Sequence, residues 1–243
     1  KDQKDQKKGK PWTRYSPNPP ICAASKAPST PARRRGRSSR LRASTRKSRD
    51  PPPEKANGHV LLYFTDAFGF HTKSFLMMNA FAKCGYLTPG VDYFLRSPLA
   101  DPSFDFNARV NKHLGASDEV GKKWIQDVKA KYGSSESVKF VCLGRSRFVA
   151  RQLNAEGIGK AGTVAHPSFL NESDVLGVNE PLFLLLPSTD ELFEPKERSE
   201  TIQILSEGGK QFNMQIFANV GHGFAEQSFS SFVNWFDFWL SPK

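Results

Sequence analysis

The sequence predicts an α/β fold in which a mostly parallel sheet is covered by helices on both faces. Short and almost continuous apolar runs, such as HVLLYF (59–64), are typical of strands that are buried on both sides. Amphipathic segments such as residues 118–132 lie between these runs and have the apolar spacing of helices. Because the two kinds of segment alternate along the chain, we expect parallel strands joined by helical crossovers.

The individual elements follow in order from residue 57. Strands are predicted at 59–64, 86–94, 138–143, 161–168, 180–190 and 212–220, and helices at 73–85, 118–132, 147–157, 195–207 and 228–240. The helix at 118–132 is expected to begin with Asp118 and Glu119, since acidic residues favour a first helical turn. In sheets of this kind, active sites lie beyond the carboxyl ends of the strands. Functional side chains are therefore expected directly after the predicted strands.

Residues 1–56 differ in composition from the rest of the chain. They hold 17 Lys and Arg against 4 Asp and Glu, a net charge of +13, whereas residues 57–243 hold 18 against 20, a net charge of −2. Apolar residues are too few in 1–56 to bury a core, so a disordered basic tail rich in Arg, Ser and Pro is expected. Its composition fits an organelle-targeting sequence, a nuclear address or nucleic-acid tether, or a solvated tail. The nearly neutral domain at 57–243 shows no basic stripe that would predict nucleic-acid binding.

The cysteines and the hydropathy of the chain indicate which metal, disulfide and membrane features to expect. The three cysteines (Cys22, Cys84 and Cys142) lack the spacing of metal ligands, and no Cys/His cluster occurs, so neither zinc nor a disulfide framework is expected. This usage favours a reducing compartment, and we predict a cytoplasmic location. No run of 18 apolar residues is present, so no association with a membrane by a spanning helix is expected.

Cys142 is a candidate nucleophile. It falls at the end of the strand predicted at 138–143, with Gly144 two residues later and a helix soon after, which is the arrangement of a nucleophile elbow. A helix N-terminus would favour the thiolate, and the amide of Leu143 would face a developing oxyanion. Phe140, however, occupies a position where an elbow needs a small residue. The alternative is therefore a buried structural cysteine.

An acid and a histidine follow the next strands in the order expected for elbow hydrolases. Asp190 comes after LFLLLP (182–187), and His222 lies in a glycine-flanked loop after the final predicted strand. His222 would take the thiol proton, and Asp190 would hold the imidazole tautomer. The other histidines fit this order less well: His59, His71, His113 and His166.

Together these segments resemble the dienelactone hydrolase family of α/β-hydrolases, its fungal and other eukaryotic members in particular. The resemblance covers about residues 57–243. The motifs that carry it are TDAFGF (65–70), GYLTPGVDYF (85–94), the cysteine of VCLG (141–144), AHPSF (165–169), STDELF (188–193) and GHGFAEQ (221–227).

The resemblance implies an α/β-hydrolase fold and a Cys-His-Asp triad that cleaves a small-molecule ester or lactone, without cofactor or metal. The acyl group would pass to the thiolate and then to water. By position, Cys142 would be the nucleophile, Asp190 the acid and His222 the base.

Two further positions follow from the resemblance. Asp66 matches an acid that lies near the resting thiol in the family, and Ala67 would supply a second oxyanion amide beside that of Leu143. The family's first strands should precede HVLLYF. Since the basic tail does not supply them, they are expected to be missing.

A second hypothesis remains beside the hydrolase. A catalytically silent α/β-hydrolase-fold protein that acts as a binding module would keep the triad residues without an open elbow, and Phe140 favours it. A nucleic-acid-binding protein is a third hypothesis, which rests on the tail alone.

Overall fold

The computed structural model describes residues 46–93, 106–144, 146–168 and 170–241, except for the side chains within 106–116 and those of 226 and 227. The predicted tail therefore lies outside the described residues up to residue 45, and its disorder and functions stay predictions.

The described part of the chain forms a sheet of seven strands in the order β1-β3-β2-β4-β5-β6-β7. All neighbouring pairs are parallel except β1 and β3, which are antiparallel. The strands are β1 (Arg46–Arg49), β2 (Val60–Phe64), β3 (Thr88–Val91), β4 (Phe140–Gly144), β5 (Gly159–Ala165), β6 (Leu182–Pro187) and β7 (Phe212–Phe217). The six strands predicted from apolar runs are thus present, and the mostly parallel sheet is confirmed.

Six α-helices occur in the described residues. They are α1 (Thr72–Lys83), α2 (Phe106–Tyr132), α3 (Ser146–Gln152), α4 (Glu172–Leu176), α5 (Pro195–Glu207) and α6 (Phe229–Leu240). Helix α2 begins well before the predicted residue 118, and Asp118 lies within it and makes a tertiary contact. Its Oδ2 accepts a hydrogen bond from Arg151 Nη1 at 3.0 Å and lies 3.3 Å from Arg147 Nη2. The backbone of His113, predicted in a loop, lies in α2; its side chain is outside the described residues.

Helices cover both faces of the sheet, and the alternation of side chains along each strand separates two cores. One core holds Leu62 and Cys142 together with apolar side chains of α2, α3, α4 and α5. The other holds Leu61, Val141 and Leu143 with side chains of α1 and α6. The face on which a residue of β4 lies therefore decides which helices it meets.

Strand β1 corrects the predicted boundary of the basic tail. Residues 46–49 pair with β3 from Arg46 opposite Val91 to Arg49 opposite Thr88. The two arginines of β1 also form side-chain hydrogen bonds. Arg46 Nη1 donates to Asp127 Oδ2 at 2.7 Å, and Arg49 Nε donates to Asn79 Oδ1 at 2.6 Å. An edge strand is held by backbone pairing on one side and needs no apolar run, so its composition gave no sign of it. The sheet thus includes residues 46–49 of the predicted tail, and they supply one strand that was expected to be missing.

Within the described ranges, no helix is long and apolar enough to cross a membrane.

Candidate active site

Four polar side chains follow separate strands at the carboxyl edge of the sheet. Asp66 comes after β2, His166 after β5, Asp190 after β6 and His222 after β7. Because parallel strands end at the same edge, the loops that follow them are brought together there. This edge is the candidate active site.

His222 and Asp190 lie in hydrogen-bond contact at this edge. His222 Nδ1 lies 3.1 Å from Asp190 Oδ1 and 3.0 Å from Oδ2. The side chain of Asp190 is 1% exposed, and that of His222 is 38% exposed. Asp190 Oδ1 also accepts the amide N–H of Leu192 at 2.9 Å, which fixes the carboxylate to its own loop. An ionised carboxylate only accepts hydrogen bonds, so Nδ1 carries the proton and Nε2 is left as the basic nitrogen.

His166 lies against His222. The two ring centroids are 4.4 Å apart at an interplanar angle of 62°, and the ring of Phe224 lies 6.0 Å away from that of His166. Burial and the neighbouring His222 lower the pKa of His166 to about 4, so its imidazole is neutral at neutral pH. His166 does not fit the predicted order of nucleophile, acid and histidine, because it follows β5 rather than the last strand.

Asp66 makes local contacts instead of meeting the cysteine. Its Oδ1 accepts the amide N–H of Phe68 at 2.9 Å, and its Oδ2 lies 3.1 Å from His71 Nε2. The Asp66 side chain is 45% exposed, whereas Cys142 is completely buried. The predicted contact between Asp66 and a resting thiol is absent among these described residues, and a second Asp–His pair, which the sequence analysis did not predict, takes its place.

Cys142 does not stand at the strand-to-helix turn. It is the third of the five residues of β4 and pairs with Leu62 on one side and Gly162 on the other. Its sulfur lies in the core formed with α2 and α3, where a Cβ built on Gly159, the first residue of β5, would be 2.9 Å from Sγ. The thiol is therefore directed toward the start of β5, away from the carboxyl edge, and burial raises its pKa.

The turn after β4 is built on a glycine. Gly144 has φ +126°, and a Cβ at this position would lie 1.9 Å from the carbonyl oxygen of Phe64. The turn therefore has no room for a nucleophilic side chain at residue 144. At the start of α3, Ser146 Oγ is buried and accepts the amide N–H of Ser168 at 3.0 Å.

The two predicted oxyanion amides differ in their surroundings. Leu143 lies within β4, between Tyr63 of β2 and Thr163 of β5, so its backbone groups face neighbouring strands rather than the cleft. This geometry does not support its predicted role. Ala67 lies in the turn after β2, and its amide N–H makes no hydrogen bond among the described residues. It is available to a ligand oxygen.

Among the described residues, no group of three or more His, Cys, Asp or Glu side chains is arranged to hold a metal ion. The histidines of the site instead pair with carboxylates or with each other.

A parallel sheet with an acid after β6 and a histidine after β7 defines the α/β-hydrolase class of fold and site. The Dienelactone hydrolase family matches residues 50–234, and the chain belongs to this family. Dienlactone hydrolase 2 of Gibberella moniliformis is 50% identical over 218 residues, which cover 79% of this chain and 83% of that protein. Dienlactone hydrolase 1 of the same fungus is 47% identical, with 79% and 84% covered. The crystal structure of TT1662 from Thermus thermophilus superposes with a TM-score of 0.65 at 17% identity over 82% of this chain and 94% of that one, a likeness that concerns the fold alone.

Proposed function

We propose that the protein hydrolyses carboxylic esters or lactones, with His222 as the general base and Asp190 as the acid that holds its tautomer. The contact between His222 Nδ1 and the buried Asp190 carboxylate carries this proposal. Membership of the Dienelactone hydrolase family and the names of the two fungal relatives support the substrate class.

The pair is suited to proton transfer at the cleft. Asp190 is almost inaccessible to water, so its charge interacts strongly with an imidazolium at His222. The carboxylate thus stabilises the protonated base that forms during the reaction. His222 itself is partly exposed, so its Nε2 remains open to a nucleophile and to a leaving group.

The nucleophile that fits the described geometry is a water molecule. His222 Nε2 takes one proton from water, and the water oxygen forms a bond to the carbonyl carbon of the substrate. When the tetrahedral intermediate collapses, the bond from carbon to the ester oxygen breaks and the imidazolium returns its proton to the leaving alkoxide. A lactone would open to a hydroxy acid in the same way. Among the described residues, Asp190 is the hydrogen-bond partner of the His222 ring, and no nucleophilic side chain is bonded to it.

Attack by Cys142 and a thioacyl intermediate stay a prediction of the sequence. The family resemblance supports them, whereas the position of Cys142 within β4 and its complete burial oppose them. For this route, the end of β4 would have to rearrange so that the sulfur reached His222.

Steady-state hydrolysis of p-nitrophenyl acetate and of the lactone dihydrocoumarin tests the proposal. We expect turnover by the wild-type protein and a loss of about 10²- to 10⁴-fold in His222→Ala, the usual contribution of a general base. His59→Ala is a matched control, since His59 precedes β2 at the opposite edge of the sheet; its turnover should equal that of the wild type. Equal activity of His222→Ala and the wild type would contradict the proposed base.

Cys142→Ala separates the two nucleophiles in the same assay. Attack by water predicts nearly unchanged turnover and no acyl adduct on Cys142 when the quenched reaction is analysed by mass spectrometry. A complete loss of activity in a folded Cys142→Ala, together with a trapped thioester in the wild type, would establish the thiol route instead.

A catalytically silent binding protein is the second candidate function. The observation that favours it is Gly144, where the turn after β4 has no space for a side chain. Folded wild-type protein that turns over neither substrate would favour this candidate.

A further inference from the structure

His166 has a backbone conformation that a non-glycine residue adopts only where the surroundings impose it. Its φ is +41°, in the left-handed region. Among the described non-glycine residues, Asn219 is the other one with a positive φ (+60°), and it lies in the loop that leads to His222. The amide N–H of His166 donates to the carbonyl of Leu185 at 2.8 Å, and that of Asn219 donates to Ser188 Oγ at 3.1 Å. Both residues are thus hydrogen-bonded to β6 or to the residue that follows it.

The strained backbone brings the His166 ring against the ring of His222. The centroid separation of 4.4 Å and the angle of 62° describe an edge-to-face contact. His222 is therefore held from two sides: Asp190 binds Nδ1, and His166 packs on the ring. Phe224 in turn lies 6.0 Å from His166, so the packing continues into the core below the site.

The charges around His166 are compatible with a packing role. The titratable groups that act on it are His222, Asp190 and Asp66, and burial keeps its ring neutral while His222 works as a base. A neutral ring does not repel the imidazolium that forms at His222, whereas a second cation at this distance would destabilise it.

We propose that His166 is a positioning residue for His222: its ring holds the imidazole in the orientation in which Asp190 binds Nδ1 and Nε2 faces the substrate. This inference rests on the proposed function, because the orientation matters for turnover only if His222 is the base. The restricted orientation of the His222 ring does not depend on whether the protein is active, so it can be measured separately.

Two substitutions separate packing from ring chemistry. His166→Ala removes the ring, and His166→Phe keeps an aromatic ring of similar reach without nitrogen atoms. For His166→Ala we expect kcat to fall about 10- to 100-fold with little change in KM, since misplacing a catalytic group by about 1 Å costs on this order. His166→Phe should restore most of the lost kcat, and the acid limb of its pH profile should match that of the wild type. His59→Ala serves as the control, with unchanged kcat and KM.

The second measurement is two-dimensional 1H–15N NMR of the histidine side chains in the same variants. The wild type and His166→Phe should show a single sharp set of His222 ring signals with the proton on Nδ1, and His166→Ala should show broadened or additional His222 signals, because the ring is no longer held on that side. If the wild type and all variants lack turnover while the NMR pattern is as expected, the proposed function fails and the positioning role stands. The positioning role is overturned if the His222 signals of His166→Ala are as sharp and single as those of the wild type, or if His166→Phe loses as much kcat as His166→Ala.

Discussion

The loops after β6 and β7 and the turn after β4 lie at the same edge of the sheet, but they differ in what they present to the cleft. The loops carry Asp190 and His222 in hydrogen-bond contact, as the sequence predicts. The turn carries Gly144, while Cys142 lies two residues back in the strand with its sulfur in the core. Two members of the predicted triad, Asp190 and His222, are thus in contact at the cleft, whereas the sulfur of the third, Cys142, lies in the core.

The difference comes from how sensitive each prediction is to strand register. A residue in a loop keeps its place at the sheet edge when the preceding strand is assigned one or two residues too long or too short. A residue near a strand end does not, because a shift of one residue moves its side chain to the opposite face. The apolar pattern predicts a strand that ends at residue 143 with Cys142 at its turn, whereas β4 continues to Gly144.

The largest expected effect comes from filling the turn after β4. Gly144→Ala should lower the free energy of unfolding by more than about 4 kcal/mol, because its Cβ would overlap the carbonyl of Phe64 and the backbone has φ +126°. Gly221→Ala is the matched control in the other half of the site, since a Cβ there meets nothing within 4 Å; it should change stability by less than about 1 kcal/mol. Urea unfolding measures both. Equal stability of the two variants would contradict the close approach of Gly144 to the Phe64 carbonyl.

A smaller effect on the free energy of unfolding is expected from His166, whose ring packs against that of His222. The pKa of His166 falls from about 6.5 in the unfolded chain to about 4 in the folded protein, because burial and His222 disfavour its charged form. Above pH 6.5 both states are neutral and His166 contributes nothing to the pH dependence. As the pH falls from 6.5 to 4, the unfolded chain takes up a proton that the folded protein does not, so the free energy of unfolding drops by about 3 kcal/mol.

Urea unfolding of the wild type and His166→Phe between pH 7 and pH 4 checks this loss. The variant should be less sensitive to acid by about 3 kcal/mol over this range, whatever its absolute stability, since its residue 166 does not titrate. Parallel curves for the two proteins would show that the His166 ring is accessible to water and is protonated in the folded state.

The apolar strands and most helices could be predicted from the sequence because their signals are local. Strand β1 could not, since its residues are basic and its place is set by pairing with β3, which is distant in sequence. The short helix α4 is also absent from the sequence-based prediction. Asn171 and Asp174 nevertheless form a capping box, in which the Asn171 N–H donates to Asp174 Oδ2 at 3.3 Å. That spacing is a helix-start signal that a sequence can show.

The candidate site shows the same division between local and long-range information. Asp190 and His222 were found from their order after strands, which the chain itself displays. His166 was not, because β5 and β7 are separated by β6, and only the folded sheet brings the two rings together across it. The pairing of His71 with Asp66 depends on the shape of the turn after β2, which the sequence pattern alone does not specify.

The last prediction concerns what surrounds the sulfur of Cys142. Cys142→Ser would place a hydroxyl in a largely apolar core, so the free energy of unfolding should fall by about 1–3 kcal/mol. Cys142→Ala removes the sulfur without adding a polar group and should cost less than the serine variant, although it leaves a small void. Urea unfolding at pH 7 ranks the three proteins, and the expected order is wild type, alanine, serine. If the serine variant matched the wild type, the side chain of residue 142 would have access to water or to a polar partner. That result would contradict the apolar burial of Cys142, which is the observation that opposes the thiol route.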